Sequence, residues 1–178
     1  MGLICDRTAA LGLQGRVVVS HAFCLGDGPA DRVAAMIERL AELQIGIISA
    51  VPGEIAFPPM GALAARGVPA ALASDSIRDT WNPHGNGDML DRCWLFAWRT
   101  HARTDAELLA CLDMGTARGA ALLELPGYGL TPGCEGSLVL IAGENRAQIL
   151  VDRPKRALVV KAGRIVAAGG RYTGPGAV

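Results

Sequence analysis

Two residues that can bind metal ions or carry protons, His21 and Asp75, each follow a short apolar run, at residues 17–20 (VVVS) and 70–74 (AALAS). Imidazole and carboxylate groups are common metal ligands and proton acceptors. Where strands run parallel, side chains at their carboxyl ends gather at one face of the fold. The sequence therefore predicts that His21 and Asp75 meet at a metal or proton-transfer site. The alternative is that each residue only ends its strand and forms hydrogen bonds there.

The other histidines and Cys24 are weaker candidates. A catalytic zinc normally takes three protein ligands, and only His84 and His101 remain as histidines. His84 lies in the polar stretch WNPHGNG, which favours a turn, and His101 follows a predicted helix, which favours an exposed end. Cys24 could act as a nucleophile beside His21, but no third orienting group is evident, so a buried structural thiol is favoured. The motifs GxGxxG, GKS/T, HExxH and GxSxG are absent from the sequence, which gives nucleotide-binding, zincin and α/β-hydrolase interpretations no support.

The elements that must position these residues follow from the pattern of apolar residues. Short apolar runs predict strands, and apolar residues at three- and four-residue spacing predict helices. The runs recur about every 25 residues with helices between them, as in a parallel sheet. The predicted strands are Arg16–Ser20, Ile45–Ala50 and Ala70–Ala73, and the predicted helices are Met1–Leu11, Asp31–Leu43, Met60–Arg66, Asp88–Arg99, Asp105–Leu112 with Thr104 as its cap, and a helical continuation over residues 114–125.

After Pro126 the sequence becomes rich in glycine and proline. Short apolar stretches there predict strands at residues 136–142, 156–163 and 164–170. The stretch KAGR predicts a tight turn that joins the last two strands into a hairpin. The chain thus divides into an α/β part, residues 1–125, and a small β part, residues 126–178, whose tail from Arg171 is expected to be disordered.

The composition of the 178 residues indicates a globular protein whose partners are small molecules or proteins. Hydrophobic residues make up 51% and charged residues 19%, and Lys+Arg and Asp+Glu number 17 each, so no nucleic-acid or membrane surface is expected. No apolar run reaches the roughly 18 residues of a membrane span, and no secretion signal opens the chain. The five cysteines, without a CxxC pair, indicate reduced and mostly buried thiols in a cytoplasmic protein.

Five segments carry a resemblance to a known family by their order and spacing: VVVSHAF, ALASDSIRDTWNPHGNGDML, TARGAALLEL, GYGLTPGCEGSLVLI and ALVVKAGRIVA. They resemble the C-terminal half of the amidohydrolase superfamily, in the branch of the cytosine deaminases and N-isopropylammelide amidohydrolases. The resemblance runs from about residue 3 to residue 170. It implies an α/β fold made of part of a (β/α)8 barrel, strands six to eight with their helices, and the C-terminal part of a small β-sandwich.

The resemblance also implies roles for individual residues. His21 matches the strand-six histidine that binds the metal or the hydrolytic water, and Asp75 matches the strand-eight aspartate that holds the metal and accepts a proton. Trp81 matches an aromatic residue of the substrate pocket. Ser76 and Arg78 stand where the bacterial cytosine deaminases carry a second aspartate and an aromatic residue, and we expect both to contact substrate. The implied chemistry is attack of hydroxide, activated by zinc or iron, on a C–N centre of a cytosine- or triazine-like ring.

Part of the family pattern has no counterpart in this sequence. The HxH of strand one, the histidine of strand five and the general-acid glutamate are all missing, so we expect the partners of His21 to lie in sequence that this chain does not contain. Alone, the chain is then expected to hold no zinc tightly and to lack deaminase activity.

Three strands cannot close a barrel, and their open edges favour self-association or association with the missing N-terminal half.

Two alternatives stay open. The chain could be a non-catalytic, truncated remnant that only associates with another chain. It could also be an unrelated small parallel-sheet binding domain, although that leaves the ALVVKAGRIVA hairpin unexplained.

Overall fold

The computed structural model describes residues 1–80 and 83–175, so the predicted substrate residue Trp81 lies outside the described residues. Within this part of the chain, no helix is long and apolar enough to cross a membrane. The strands are β1 (Val18–Ser20), β2 (Gly46–Ser49), β3 (Ala70–Leu72), β4 (Leu138–Ile141), β5 (Arg156–Lys161), β6 (Arg164–Ala168) and β7 (Arg171–Tyr172). The helices are α1 (Gly2–Ala10), α2 (Cys24–Asp27), α3 (Ala30–Glu42), α4 (Met60–Ala65), α5 (Met89–Arg99), α6 (Asp105–Met114), α7 (Ala117–Leu122) and α8 (Arg146–Asp152).

The first three strands form a parallel sheet in the order β1-β2-β3, which confirms the predicted parallel arrangement. Ile47 of β2 pairs with Val19 on one side and with Ala70 on the other. β2 and β3 are almost wholly buried, whereas β1 is an edge strand and leaves Val18 45% exposed. α3 and α4 provide the crossover connections, so all three strands direct their carboxyl ends to the same side.

The core lies between this sheet and the helices around it. α3 is amphipathic, and its spacing places Ile37 and Leu40 on the buried face. Leu40 is fully buried together with Ile47 of β2 and Leu63 of α4. Full burial of such a side chain contributes about 1.5–3 kcal/mol, so the predicted apolar pattern accounts for this part of the fold.

Two helices begin at side-chain caps that the sequence signals. Asp88 accepts a hydrogen bond of 2.9 Å from the backbone N–H of Leu90 at the start of α5. Thr104 and Glu107 form a reciprocal capping box at the start of α6, which confirms Thr104 as its cap.

The predicted continuation of α6 through residues 114–125 is interrupted. α6 ends at Met114 with Gly115 as its C-cap, and α7 begins at Ala117, after Thr116. Gly115 packs against the sulfur of Cys93, which a Cβ at this position would overlap. The close approach of α5 therefore requires glycine here, and the helix breaks at this point.

The last four strands form an antiparallel sheet in the order β4-β5-β6-β7. The predicted hairpin turns at Ala162 and Gly163, whose φ angles of 48° and 74° are those of a type I′ turn. The disorder expected from Arg171 onward is wrong at its start, because Arg171 and Tyr172 pair with β6 as β7. The backbone hydrogen bonds of this pairing fix the segment in place.

α8 lies where the sequence analysis expected only strands and turns. Asn145 caps it by accepting a hydrogen bond of 2.9 Å from the Gln148 N–H. Its Leu150 is fully buried in the same core as α5 and α6. An ion pair between Arg156 of β5 and Asp88 forms a second link. The C-terminal segment is thus anchored to the helices that follow β3.

We predict that Leu40→Ala lowers the free energy of unfolding by about 2–5 kcal/mol, because it leaves a cavity in the core. Leu3→Ala is the matched control: Leu3 is 71% exposed on α1, and its loss should change stability by no more than about 0.5 kcal/mol. Urea unfolding followed by circular dichroism measures both variants. Equal stabilities for the two would contradict this description of the core.

We also predict that stability falls as the pH rises above about 8.5, the ordinary pKa of a thiol in an unfolded chain. Burial raises the pKa of Cys93 to about 12, and burial also raises the pKa of Cys111. The unfolded chain therefore releases thiol protons in a pH range where the folded chain retains them, which favours unfolding. Urea unfolding at pH 8, 9 and 10 should show a smaller decline for Cys93→Ala than for the parent chain. An identical decline would show that Cys93 titrates alike in both states.

Candidate active site

A non-glycine residue with a left-handed backbone conformation lies shortly after the end of each of the three parallel strands. We call these three segments the strand exits. His21 after β1 has φ 64°, Val51 after β2 has φ 43°, and Asp75 after β3 has φ 59°. Such conformations cost on the order of 1–3 kcal/mol each and cluster at functional sites. Val51 stands out because it is β-branched and fully buried. The strand ends are therefore held in an unfavourable backbone geometry.

Backbone and side-chain hydrogen bonds hold the strand exits together. The His21 N–H donates to the Ile48 carbonyl at 2.7 Å, and the Ala73 N–H donates to the Ser49 carbonyl at 3.1 Å. The Ser49 hydroxyl, which is buried, accepts a hydrogen bond of 3.1 Å from the Val51 N–H. Ser49 thus supports the left-handed turn after β2, a role that the sequence analysis missed.

His21 and Asp75 come together as predicted. The distance between His21 Nε2 and Asp75 Oδ2 is 3.4 Å, with the side chains 25% and 49% exposed. The His21 ring stacks on Phe23, with 4.6 Å between ring centroids. Its Nδ1 is buried and has no hydrogen-bond partner among the described residues. The pair therefore presents an oriented imidazole and a solvent-accessible carboxylate.

A cavity of about 340 Å³ opens beside this pair. Ser76 lines it next to Asp75, while Phe23, Pro52 and Ile55 supply an apolar wall. Its volume lies at the lower end of the range for small-molecule sites. The cavity can hold a small molecule that contacts both the polar groups of Asp75 and Ser76 and the apolar wall.

Arg92 of α5 also lines this cavity. Burial lowers the pKa of this guanidinium, and the nearby Asp75 carboxylate opposes that effect. Arg92 was not predicted from the sequence. A signal was present, because Arg92, Phe96 and Arg99 recur at four- and three-residue steps on α5 and Phe96 is buried.

Other residues singled out in the sequence lie elsewhere. Arg78, predicted to contact substrate, is exposed and is not among the residues that line the cavity. His84 lines a separate cavity of about 380 Å³, and His101 is exposed after α5. The interpretation of Cys24 as a buried thiol is wrong, because α2 is a single turn that buries Leu25 and leaves Cys24 exposed.

The donor atoms at the strand ends fit part of a metal site. Imidazole nitrogen and carboxylate oxygen are ligands that zinc and iron accept, and His21 and Asp75 are close enough to share one ion. Among residues 1–80 and 83–175, no group of three His, Cys, Asp or Glu side chains could hold a metal ion. The described residues thus supply two donors, and a complete site needs further donors from other groups.

The sequence pattern of a family described as the amidohydrolase family matches residues 4–167. The chain belongs to this family. The family membership expected from the five segments is thereby confirmed. This amidohydrolase chain is also 30% identical over 164 residues to the N-isopropylammelide isopropyl amidohydrolase of Pseudomonas sp. strain ADP, covering 92% of this chain and 41% of that protein.

Solved structures agree with the family assignment. The crystal structure of N-isopropylammelide isopropylaminohydrolase from Burkholderia multivorans matches 97% of this amidohydrolase chain and 44% of its own chain, with a TM-score of 0.92 and 40% identity. A 5-methylcytosine deaminase from Klebsiella pneumoniae matches with a TM-score of 0.81 at 22% identity, over 92% of this chain and 43% of its own, which shows a shared fold. The chain spans less than half the length of each of these relatives.

The segments that follow β1 and β2 pack closely against each other, and a substitution that adds volume at this contact should lower the stability of the fold. Gly26 of α2 lies against the backbone of Phe57, and a Cβ there would come within 2.6 Å of the Phe57 nitrogen. We expect Gly26→Ala to lower the free energy of unfolding by about 1–3 kcal/mol through overpacking. Gly53→Ala, where a Cβ meets open space, is the matched control and should be near neutral. Urea unfolding distinguishes them, and a neutral Gly26→Ala would contradict the close packing of the two exits.

Proposed function

We propose that this chain forms part of the catalytic centre of a metal-dependent amidohydrolase that hydrolyses a C–N bond of a heterocyclic substrate. The observation that carries the proposal is the convergence of His21 and Asp75, 3.4 Å apart, beside a cavity of small-molecule size. Both residues lie just beyond the carboxyl ends of parallel strands and adopt the left-handed conformation, which clusters at functional sites.

In this proposal β1, β2 and β3 are strands six to eight of a (β/α)8 barrel, within residues 1–125. The antiparallel sheet is the C-terminal part of a small β-sandwich, within residues 126–178. The match to the Burkholderia amidohydrolase over 97% of the chain supports this interpretation of the fold.

Asp75 and His21 are the proposed metal ligands and catalytic residues. Bound zinc or iron would supply a water whose pKa is lowered toward neutrality. Asp75, half-exposed to the cavity, can accept the proton of that water because its carboxylate faces open space. Stacking on Phe23 fixes the plane of the His21 ring, so its Nε2 stays directed toward Asp75.

The proposed substrate is a cytosine- or triazine-like ring. Its polar edge would face Ser76, whose hydroxyl can donate or accept a hydrogen bond. Trp81 and Arg78 are further proposed contacts. Ser76 replaces a carboxylate of the cytosine deaminases, which favours another ring or an N-alkylated amine over cytosine itself. The name of the Burkholderia relative, which acts on an N-isopropyl compound, supports the N-alkylated class.

The remaining metal ligands are proposed to come from an N-terminal barrel half, with which this chain associates through the exposed edge strand β1. The free cysteines support a reducing, cytoplasmic location. A non-catalytic remnant that only associates with another chain is the second candidate. The observation that favours it is the lack of a three-donor group among the described residues.

Complementation tests the proposal. The chain is mixed with the N-terminal part of the Burkholderia relative, and release of amine or ammonia from N-isopropylammelide and cytosine is measured. We expect no turnover and no tightly bound zinc for the chain alone, and turnover for the mixture. Asp75→Asn should then lower kcat by about 10²–10⁴-fold, because the proton acceptor is lost.

Asp27→Asn, at an exposed carboxylate of α2, is the matched control and should retain parental kcat. Retained turnover in Asp75→Asn would rule out the proposed role of this residue. A folded mixture that binds zinc but turns over neither compound would favour the remnant.

A further inference from the structure

Two arginines of α5 bind the loops at the carboxyl ends of the strands. Arg92 donates from Nη1 to the Ala50 carbonyl at 2.7 Å and from Nη2 to the Ser74 carbonyl at 3.2 Å. Ala50 directly follows β2, and Ser74 directly precedes Asp75. One guanidinium therefore joins the exits of two neighbouring strands.

Arg99, two helical turns further along α5, binds the next part of the same loop. Its Nη1 donates to the carbonyls of Val51 at 3.1 Å and Pro52 at 2.6 Å, and its Nη2 donates to the Ile55 carbonyl at 2.9 Å. The guanidinium also lies 4.3 Å from the centre of the Phe57 ring. Together the two arginines satisfy five carbonyl groups between residues 50 and 74.

These contacts need arginine and not merely positive charge. The guanidinium is planar and carries five donors in a fixed fork, whereas an ammonium is a point charge. Carbonyls beyond the end of a strand lack a sheet partner and need another donor. Burial lowers the pKa of both arginines, and the hydrogen bonds offset the cost of burying them.

The bound loop contains the strained residue Val51. A left-handed conformation at a buried β-branched residue persists only when its surroundings fix it. The carbonyls on both sides of Val51, those of Ala50 and Pro52, and its own carbonyl are held by the two arginines. The same loop carries Pro52 and Ile55, which line the cavity beside Asp75.

We infer that Arg92 is a positioning residue that fixes the exits of β2 and β3 relative to each other, and so fixes Asp75 and the apolar cavity wall around His21. Arg99 holds Pro52 and Ile55 of this wall through their carbonyl groups. We call the two arginines, together with the carbonyl groups that they bind, the arginine clamp. Its effect on catalysis rests on the proposed function, whereas its effect on the positions of the loops does not.

The test compares Arg92→Met and Arg92→Lys in the full chain with Arg118→Met, at an exposed position of α7. Hydrogen exchange of the Val51 and Ala73 amides, which hydrogen-bond Ser49 at the ends of β2 and β3, should accelerate at least about tenfold in Arg92→Met, because the bonds from the guanidinium to Ala50 and Ser74 are lost. The ring signals of the three histidines in the ¹H–¹³C spectrum at fixed pH give a second readout. The His21 signal should shift in both Arg92 variants, and the His101 signal should stay in place.

Lysine should not restore the parental exchange rate, because its single nitrogen cannot reproduce the fixed fork by which two guanidinium nitrogens reach the two carbonyls. Parental exchange and a parental His21 signal in Arg92→Lys would overturn the inference even if Arg92→Met fails to fold. Exchange that accelerates equally along the whole chain, as in Leu40→Ala, would also overturn it. In the complemented enzyme, Arg92→Lys should lower kcat by about 10–100-fold with little change in KM. Faster exchange confined to the Val51 and Ala73 amides, without turnover in any mixture, would uphold the positioning role of Arg92 and refute the proposed function.

Discussion

The arrangement of side chains at the site depends on the backbone conformation of the residues that follow the three parallel strands. His21, Val51 and Asp75 all adopt the left-handed conformation, which is most unfavourable for the β-branched Val51. The Ser49 hydroxyl accepts a hydrogen bond from the Val51 N–H, and Arg92 donates to the carbonyls of Ala50 and Ser74. These contacts and the underlying sheet hold the segments around Val51 and Asp75. These segments lie at the strand ends where His21 and Asp75 come within 3.4 Å of each other.

The buried sheet and its helices provide the rigid base that such strain requires. Ile47 of β2 and Leu63 of α4 are fully buried in the core. Arg92 and Arg99 of α5 donate hydrogen bonds to the loops that follow the strands. α8 packs on α5 from the C-terminal segment, so that segment also supports the helix that carries the clamp. The structure thus links the core, through α5, to a small cavity lined by Asp75.

The sequence predicted the parts of this arrangement that follow from local patterns. Apolar runs and helical spacing fixed the parallel sheet, and the meeting of His21 and Asp75 followed because parallel strands share one carboxyl end. Arg92, Arg99 and Ser49 could not be assigned in the same way, since their partners are backbone carbonyls or N–H groups whose positions depend on tertiary packing. Cys24 and α8 were misjudged for the same reason, because burial of Leu25 and Leu150 against distant elements determines both.

We propose that His21 and Asp75 bind one metal ion jointly with donors from another part of the barrel. The direct measurement is the absorption spectrum of cobalt(II) bound to the complemented protein, compared with the spectra of His21→Gln and Asp75→Asn. We expect the visible ligand-field bands of cobalt to change in intensity or position in each variant, because a ligand or its orientation is altered. Identical spectra in the parent and both variants would contradict it.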